Sequence, residues 1–136
     1  MKHDYYDVII VGAGPAGLFA ANELKGSGQK VLVIDKGKDV EDRHCHMEEF
    51  GTCIQCTDCN IMCGVGGAGT FSDGTLNLRP DVGGELADLC DTEKAWQLVR
   101  DVDRMFLEHG MSNEMYRGNG EDIENLKRRA ASVGAR

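Results

Sequence analysis

Apolar and polar positions divide this chain into five patterned stretches, with glycine-rich and cysteine-rich sequence between them. The first is a continuous apolar run, Val8-Ile9-Ile10-Val11, of strand length and bounded by Asp7 and Gly12. After Gly12-Ala13-Gly14-Pro15-Ala16-Gly17 comes a helical stretch, Leu18-Phe19-Ala20-Ala21-Asn22-Glu23-Leu24, and Lys30-Val31-Leu32-Val33-Ile34-Asp35 returns as a second strand. From Asp91 to His109, apolar residues recur at three or four positions through Trp96, Val99, Val102 or Asp103, and Phe106. That spacing predicts an amphipathic helix whose aromatic residues pack in an ordinary core. A second helix is predicted from Glu121 to Ser132, with Ile123, Leu126 and Ala130 on one stripe and Glu124, Lys127 and Arg128 outward.

The stretch from Asp7 to Asp35 reads as a strand, turn, helix, strand unit with a G-x-G-x-x-G dinucleotide fingerprint in its turn. Gly12 permits the tight turn, Gly14 lets a diphosphate approach the backbone, and Gly17 lets the helix pack on the strand. Pro15 suits a first helical turn, where a missing N–H leaves no bond unmade. Free N–H groups at the helix start, around Pro15 and Ala16, suit an anion. Asp35, 18 residues after Gly17, suits a ribose hydroxyl and opposes a 2′-phosphate, so FAD or NAD fits better than NADP.

Composition narrows the class. Of 136 residues, 41% are hydrophobic and 28% charged, and the net charge is −8. No basic stripe exists to neutralise phosphates, which argues against nucleic acid and anionic membranes as partners. Apolar runs broken by glycine predict neither a membrane span nor a signal peptide, and the expected compartment is the cytoplasm. Two strands are too few for a doubly wound sheet covered on both faces. The expectation is therefore the N-terminal part of a longer protein. In that reading, residues 1–35 are the βαβ unit, 36–80 a Cys/Gly-rich loop region and 91–132 helices, and the rest of the domain and a substrate domain are absent.

The loop region carries the unusual chemistry. Cys53, Cys56, Cys59 and Cys63 are spaced C-x2-C-x2-C-x3-C, as in bacterial iron–sulfur ligand runs, although Gly64 stands where proline commonly follows. Four readings compete: an iron–sulfur cluster, redox-active thiols among Cys53, Cys56 and Cys59, a structural zinc, or reduced cysteines without special chemistry. His44 and His46 flank Cys45 closely enough for metal or proton chemistry, unlike His3 and His109. The following run, Gly64-Val65-Gly66-Gly67-Ala68-Gly69-Thr70-Phe71-Ser72-Asp73-Gly74-Thr75, removes side chains where a backbone must approach a bulky ligand, and Ser72 and Asp73 offer polar contacts.

With both glycine segments and the cysteines in view, the chain resembles flavoproteins with a glutathione-reductase-type FAD domain. It is most similar to bacterial proteins described as FAD-dependent dehydrogenases or NAD(P)/FAD-dependent oxidoreductases. The resemblance rests on Asp7 to Gly17, on Cys45 with Cys53, Cys56 and Cys59, on Gly66 to Gly74, and on the helices through Phe106-Leu107-Glu108 and Leu126 to Ala131. It implies a Rossmann-like α/β fold and FAD held by Gly12, Gly14 and Gly17. Asp35 stands where the family usually carries Glu, with Lys36 beside it. Gly66, Gly67 and Ala68 would approach the diphosphate or ribityl chain, and Thr75 replaces an expected lysine.

The implied activity of the longer protein is flavin-mediated hydride or electron transfer on a small-molecule substrate or redox partner, with NAD(P)H as co-substrate. This stretch alone is expected to be inactive, and its oligomeric state is not indicated. Gly51-Thr52-Cys53-Ile54-Gln55-Cys56 also looks similar to the redox pair of disulfide reductases, with two residues between the cysteines instead of four. Dithiol/disulfide reduction is the alternative mechanism. Two readings outside enzymology are a non-catalytic nucleotide-binding redox module and a zinc-stabilised structural fragment.

Overall fold

The structure, a computed structural model, describes residues 5–115 and 119–134. Residues 1–75 and 76–136 form two compact units.

In the first unit, Val8–Val11 (β1) and Val31–Ile34 (β2) pair in parallel, Val8 opposite Val31 through Val11 opposite Ile34. Parallel neighbours need a crossover, and Pro15–Glu23 (α1) supplies it. Asp7 ties the lower end: its backbone N–H donates to the Lys30 carbonyl (2.8 Å), and its carboxylate accepts from the Lys30 N–H (2.7 Å). At the upper end the Gly12 N–H donates to the Ile34 carbonyl (2.7 Å), carrying the ladder one step into the turn. Side chains alternate across the sheet. Ile10 faces α1, whereas Ile9 and Val11 on the other face are 58% and 81% exposed.

Beyond β2 the chain makes a 3-10 turn at Val40–Asp42, whose N–H at Val40 is capped by Asp39. A single helical turn follows at Met47–Phe50 (α2), stopped by Gly51 in the left-handed conformation (φ 69°). A second 3-10 turn spans Gly67–Phe71. Three of the four buried positions among the described residues, Ala13, Arg43 and Gly64, lie in this unit. Its interior is thus the junction of the loops above the sheet.

The second unit holds a 3-10 turn at Leu86–Asp88 and two helices, Thr92–Glu108 (α3) and Gly120–Ser132 (α4). Both begin where a side chain can cap them: Asp91 accepts from the Lys94 N–H (2.8 Å) and Asn119 from the Asp122 N–H (2.7 Å). The expected aromatic core does not form here. Trp96 and Phe106 stay 41% and 39% exposed, and the buried residue of α3 is Ala95. The irregular stretch beside α3 lays too few side chains against it, leaving a shallow apolar groove of about 230 Å³ lined by Leu76, Leu78, Pro80, Val82, Leu98 and Val102. The α4 stripe is likewise open at Ile123 and Leu126.

The chain is therefore an α/β protein with two parallel strands and four α-helices among the described residues. None of those helices is long and apolar enough to cross a membrane.

Candidate functional site

The site is built on the start of α1. Its N-cap is Gly14, in an extended conformation, and no side chain caps the helix. Pro15 has no N–H, so the first-turn N–H groups at Ala16 and Gly17 lie outside the helical ladder at the positive end of the helix dipole. Gly17 is required by contact: a Cβ there would collide with the Gly12 carbonyl oxygen and press on Ile10. The turn and the helix can close on each other only because that atom is missing.

The second glycine segment meets the first at this point. The Gly66 N–H donates to the Ala13 carbonyl (2.8 Å), and a Cβ on Gly67 would stand 3.2 Å from both the Gly14 Cα and the Pro15 Cδ. The structure thus brings Gly66 and Gly67 to the very turn that contains Gly12, Gly14 and Gly17. Ala68 follows in the 3-10 turn and is exposed.

Asp35 joins the pieces. Its Oδ2 accepts from the Ala13 N–H, and its Oδ1 from the N–H groups of Gly37 and Gly64, each at 2.8 Å. The bond from Ala13, then that from Gly37, hold its carboxyl below the ordinary value against the opposing effect of desolvation, and Gly64 and the Arg43 charge add lesser contributions. One carboxylate therefore fixes the fingerprint turn, the end of β2 and the head of the second glycine segment. An ionised carboxyl has room for about four acceptor contacts, so one further donor can be received.

The Lys36 ammonium lies 3.6 Å from the Asp58 carboxylate, and its pKa is raised, first by hydrogen bonding to Cys63 and then by the charges of Cys63 and Asp58.

Sequence reasoning missed Arg43, which is only 5% exposed and uses all five of its N–H donors. Nε donates to the Asn60 carbonyl (2.8 Å). Nη1 donates to the Val65 carbonyl (2.6 Å) and the Thr70 hydroxyl (3.2 Å), and Nη2 to the carbonyls of Ile61 (2.7 Å) and Gly67 (2.9 Å). The Phe71 ring lies 4.8 Å from its Cζ. This guanidinium gathers the end of the cysteine loop and the second glycine segment around one planar fork. Gly64 is the counterpart: buried at φ +110°, it leaves no space for a Cβ, which would overlap the Lys38 carbonyl and crowd the Arg43 Cδ.

Ser72 and Asp73 close local turns, accepting from the N–H groups of Gly74 (3.1 Å) and Thr75 (2.9 Å). The Thr75 bond lowers the Asp73 pKa.

The cysteines are all free thiols; Cys53 and Cys56 are exposed, and Cys59 and Cys63 half-buried. Gln55 between the first two takes a left-handed conformation (φ 52°), uncommon outside glycine. Among the described residues, one trio of His, Cys, Asp or Glu ligand atoms lies within 4.8 Å of one another, and it is His44, His46 and Glu49. No three of Cys53, Cys56, Cys59 and Cys63 are gathered that closely. A mononuclear zinc site, with Zn–S near 2.3 Å, would need sulfurs about 3.8 Å apart. The histidines beside Cys45 converge on Glu49 instead of on the thiol.

Residues 5–47 match the model of the FAD binding domain family.

That match contains β1, the fingerprint turn, α1, β2, Asp35 and Arg43. An uncharacterized protein of Clostridium beijerinckii is 43% identical over 72 residues, 52% of this chain and 14% of that protein. A thioredoxin reductase of Ureaplasma parvum is 50% identical over 36 residues, 26% of this chain and 12% of its own length. Digeranylgeranylglycerophospholipid reductase 3 of Methanosphaera stadtmanae is 44% identical over 59 residues, 43% of this chain and 12% of the relative. The matched stretches thus span only about an eighth of the length of these curated relatives. No solved structure matches.

Proposed function

We propose that this chain supplies the Rossmann-like FAD-binding portion of an oxidoreductase with a glutathione-reductase-type flavin domain. Residues 1–35 would form its βαβ unit, 36–80 a Cys/Gly-rich loop region, and 91–132 helices. The observation that carries the reading is the uncapped start of α1, inside the stretch that matches FAD binding domains, with a second glycine segment bonded onto the same turn.

In this reading the backbone at Gly12, Gly14, Pro15, Ala16 and Gly17 cradles the diphosphate against the positive end of α1. Asp35 spends its remaining lone pair on a ribose hydroxyl, and Lys36 stands at the rim. Gly66, Gly67 and Ala68 line the diphosphate or ribityl chain, with Ser72 and Asp73 beyond them. Bound FAD would supply hydride or electron transfer. The protein's residues hold and orient it, in a dehydrogenase that uses NAD(P)H as co-substrate.

A flavin-linked dithiol relay is the second reading, favoured by the exposed, unbridged Cys53 and Cys56.

The test is anaerobic purification of the natively produced protein, with its visible spectrum, iron, zinc and labile sulfide content, and FAD titration of the apoprotein. We expect a two-banded flavin spectrum and saturable FAD binding, weakened by roughly tenfold or more in Gly14→Asp, which sets a carboxylate against the diphosphate. A protein that neither retains nor binds FAD would overturn the proposal. Iron with labile sulfide would assign the cysteine loop to a cluster, and zinc without sulfide would assign it to a structural metal.

A further inference from the structure

His44, His46 and Glu49 stand apart from the glycine junction and from the proposed cofactor contacts, and they converge without any help from the cysteines. His44 Nε2 lies 2.9 Å from Glu49 Oε1, and His46 Nδ1 lies 3.5 Å from Glu49 Oε2. Ligands held at 2.0–2.2 Å around a tetrahedral ion sit roughly 3.3–3.5 Å from one another. Each imidazole thus faces a different oxygen of the same carboxylate, at a separation close to that between two ligands of one ion. The imidazole rings stand edge to face at 88° with centroids 5.4 Å apart, and the three ligand atoms all lie within 4.8 Å of one another.

The backbone beneath these side chains is held in place. Asn60 donates to the His44 carbonyl (2.7 Å), and the adjacent Arg43 is locked by its five bonds. The His46 carbonyl accepts from the N–H groups of Glu49 (3.1 Å) and Phe50 (3.0 Å), fixing the α2 turn that sets His46 and Glu49 on one face. All three side chains are about half exposed, so an ion can enter without unfolding.

We propose that His44, His46 and Glu49 bind one divalent first-row transition metal ion, with the remaining coordination positions open to water. Two neutral imidazoles and one carboxylate suit zinc-class ions and not magnesium or calcium, which take oxygen ligands. Binding replaces the imidazole-to-carboxylate hydrogen bonds and releases any proton the imidazoles carry.

The cysteine loop is the competing metal binder, so the experiment separates the two. The 136-residue chain is titrated with Zn²⁺ by calorimetry and with Co²⁺ by absorbance, as it stands and with Cys53, Cys56, Cys59 and Cys63 all changed to serine. Both titrations are repeated after His46→Gln and Glu49→Gln. In the serine background we expect one equivalent of Zn²⁺, weakened roughly tenfold or more by either substitution, and a Co²⁺ spectrum without the intense near-ultraviolet thiolate band. Imidazole nitrogen NMR of the unaltered chain checks the assignment without any substitution, through Zn²⁺-dependent shifts at His44 and His46. Unshifted histidine nitrogens, Zn²⁺ binding indifferent to His46→Gln and Glu49→Gln, or a thiolate band persisting in the serine background would each overturn the proposal.

Discussion

Replacing Arg43 by alanine should do more damage than any other single change in the first unit. The substitution removes five hydrogen bonds donated by one charged group, four of them to backbone carbonyls and one to Thr70. A bond from a charged donor contributes about 1.5–3 kcal/mol in isolation. These contributions do not add, because the carbonyls of Asn60, Ile61, Val65 and Gly67 lie in half-buried loops that water can reach once the side chain is gone. Contact with the Phe71 ring adds about 0.5–1 kcal/mol. A net loss of about 2–4 kcal/mol follows, a large share of the margin of a small domain.

Lysine restores the charge but has a single nitrogen, which cannot reach carbonyls spread around a planar fork, so Arg43→Lys should recover less than half of the loss. Urea unfolding by far-UV circular dichroism measures the stability. Residue-resolved alkylation measures the loop: Cys59 and Cys63, half-buried in the native chain, should label at rates approaching those of the exposed Cys53 and Cys56. A midpoint shift worth less than about 1 kcal/mol, with Cys59 and Cys63 still protected, would refute the clamp. Full rescue by lysine would refute the geometric part of the argument and leave only charge.

Two further outcomes are expected. Gly17→Ala places a Cβ onto the rigid Gly12 carbonyl, so it should destabilise the first unit by about 1–3 kcal/mol and reduce FAD retention, and an unchanged urea midpoint would contradict the contact. Because the folded-state pKa of Asp35 is depressed, its contribution is complete above the unfolded value of about 3.9 and is lost as pH falls through the lower folded value. Acid unfolding should therefore steepen below about pH 4, and Asp35→Asn should flatten that limb; an identical acid profile for the two proteins would show that the three backbone bonds carry no linkage.

The parts of the fold legible in the sequence were those written in side-chain pattern. Val8–Val11 and Val31–Ile34 announce themselves as apolar runs, and the glycine spacing between them marks the turn whose contacts Gly17 then satisfies. The predicted helices appear with their starts sharpened by the Asp91 and Asn119 caps. The clamp escaped notice because the partners of Arg43 are main-chain atoms 17 to 24 residues away, and a carbonyl oxygen has no letter in a sequence. Glu49 escaped for a related reason: its three-residue spacing from His46 falls within a one-turn helix too short to show a periodic stripe, and its five-residue spacing from His44 matches neither helical nor strand periodicity. Periodicity misled at Trp96 and Phe106, since a stripe tells which way a helix faces and not whether anything fills the space opposite.

The grip of Arg43 on the cysteine loop has a consequence for how this region can change. Apart from the Thr70 hydroxyl, everything it holds is backbone. The path of residues 60–67 is thus set by main-chain carbonyls and by glycines such as Gly64 that leave no room for a Cβ, while the thiols at Cys53, Cys56 and Cys59 take no part in that clamp. Shape and chemistry are separable here: a lineage could exchange cysteines for other ligands, or lose them, and still close the same loop over the same turn.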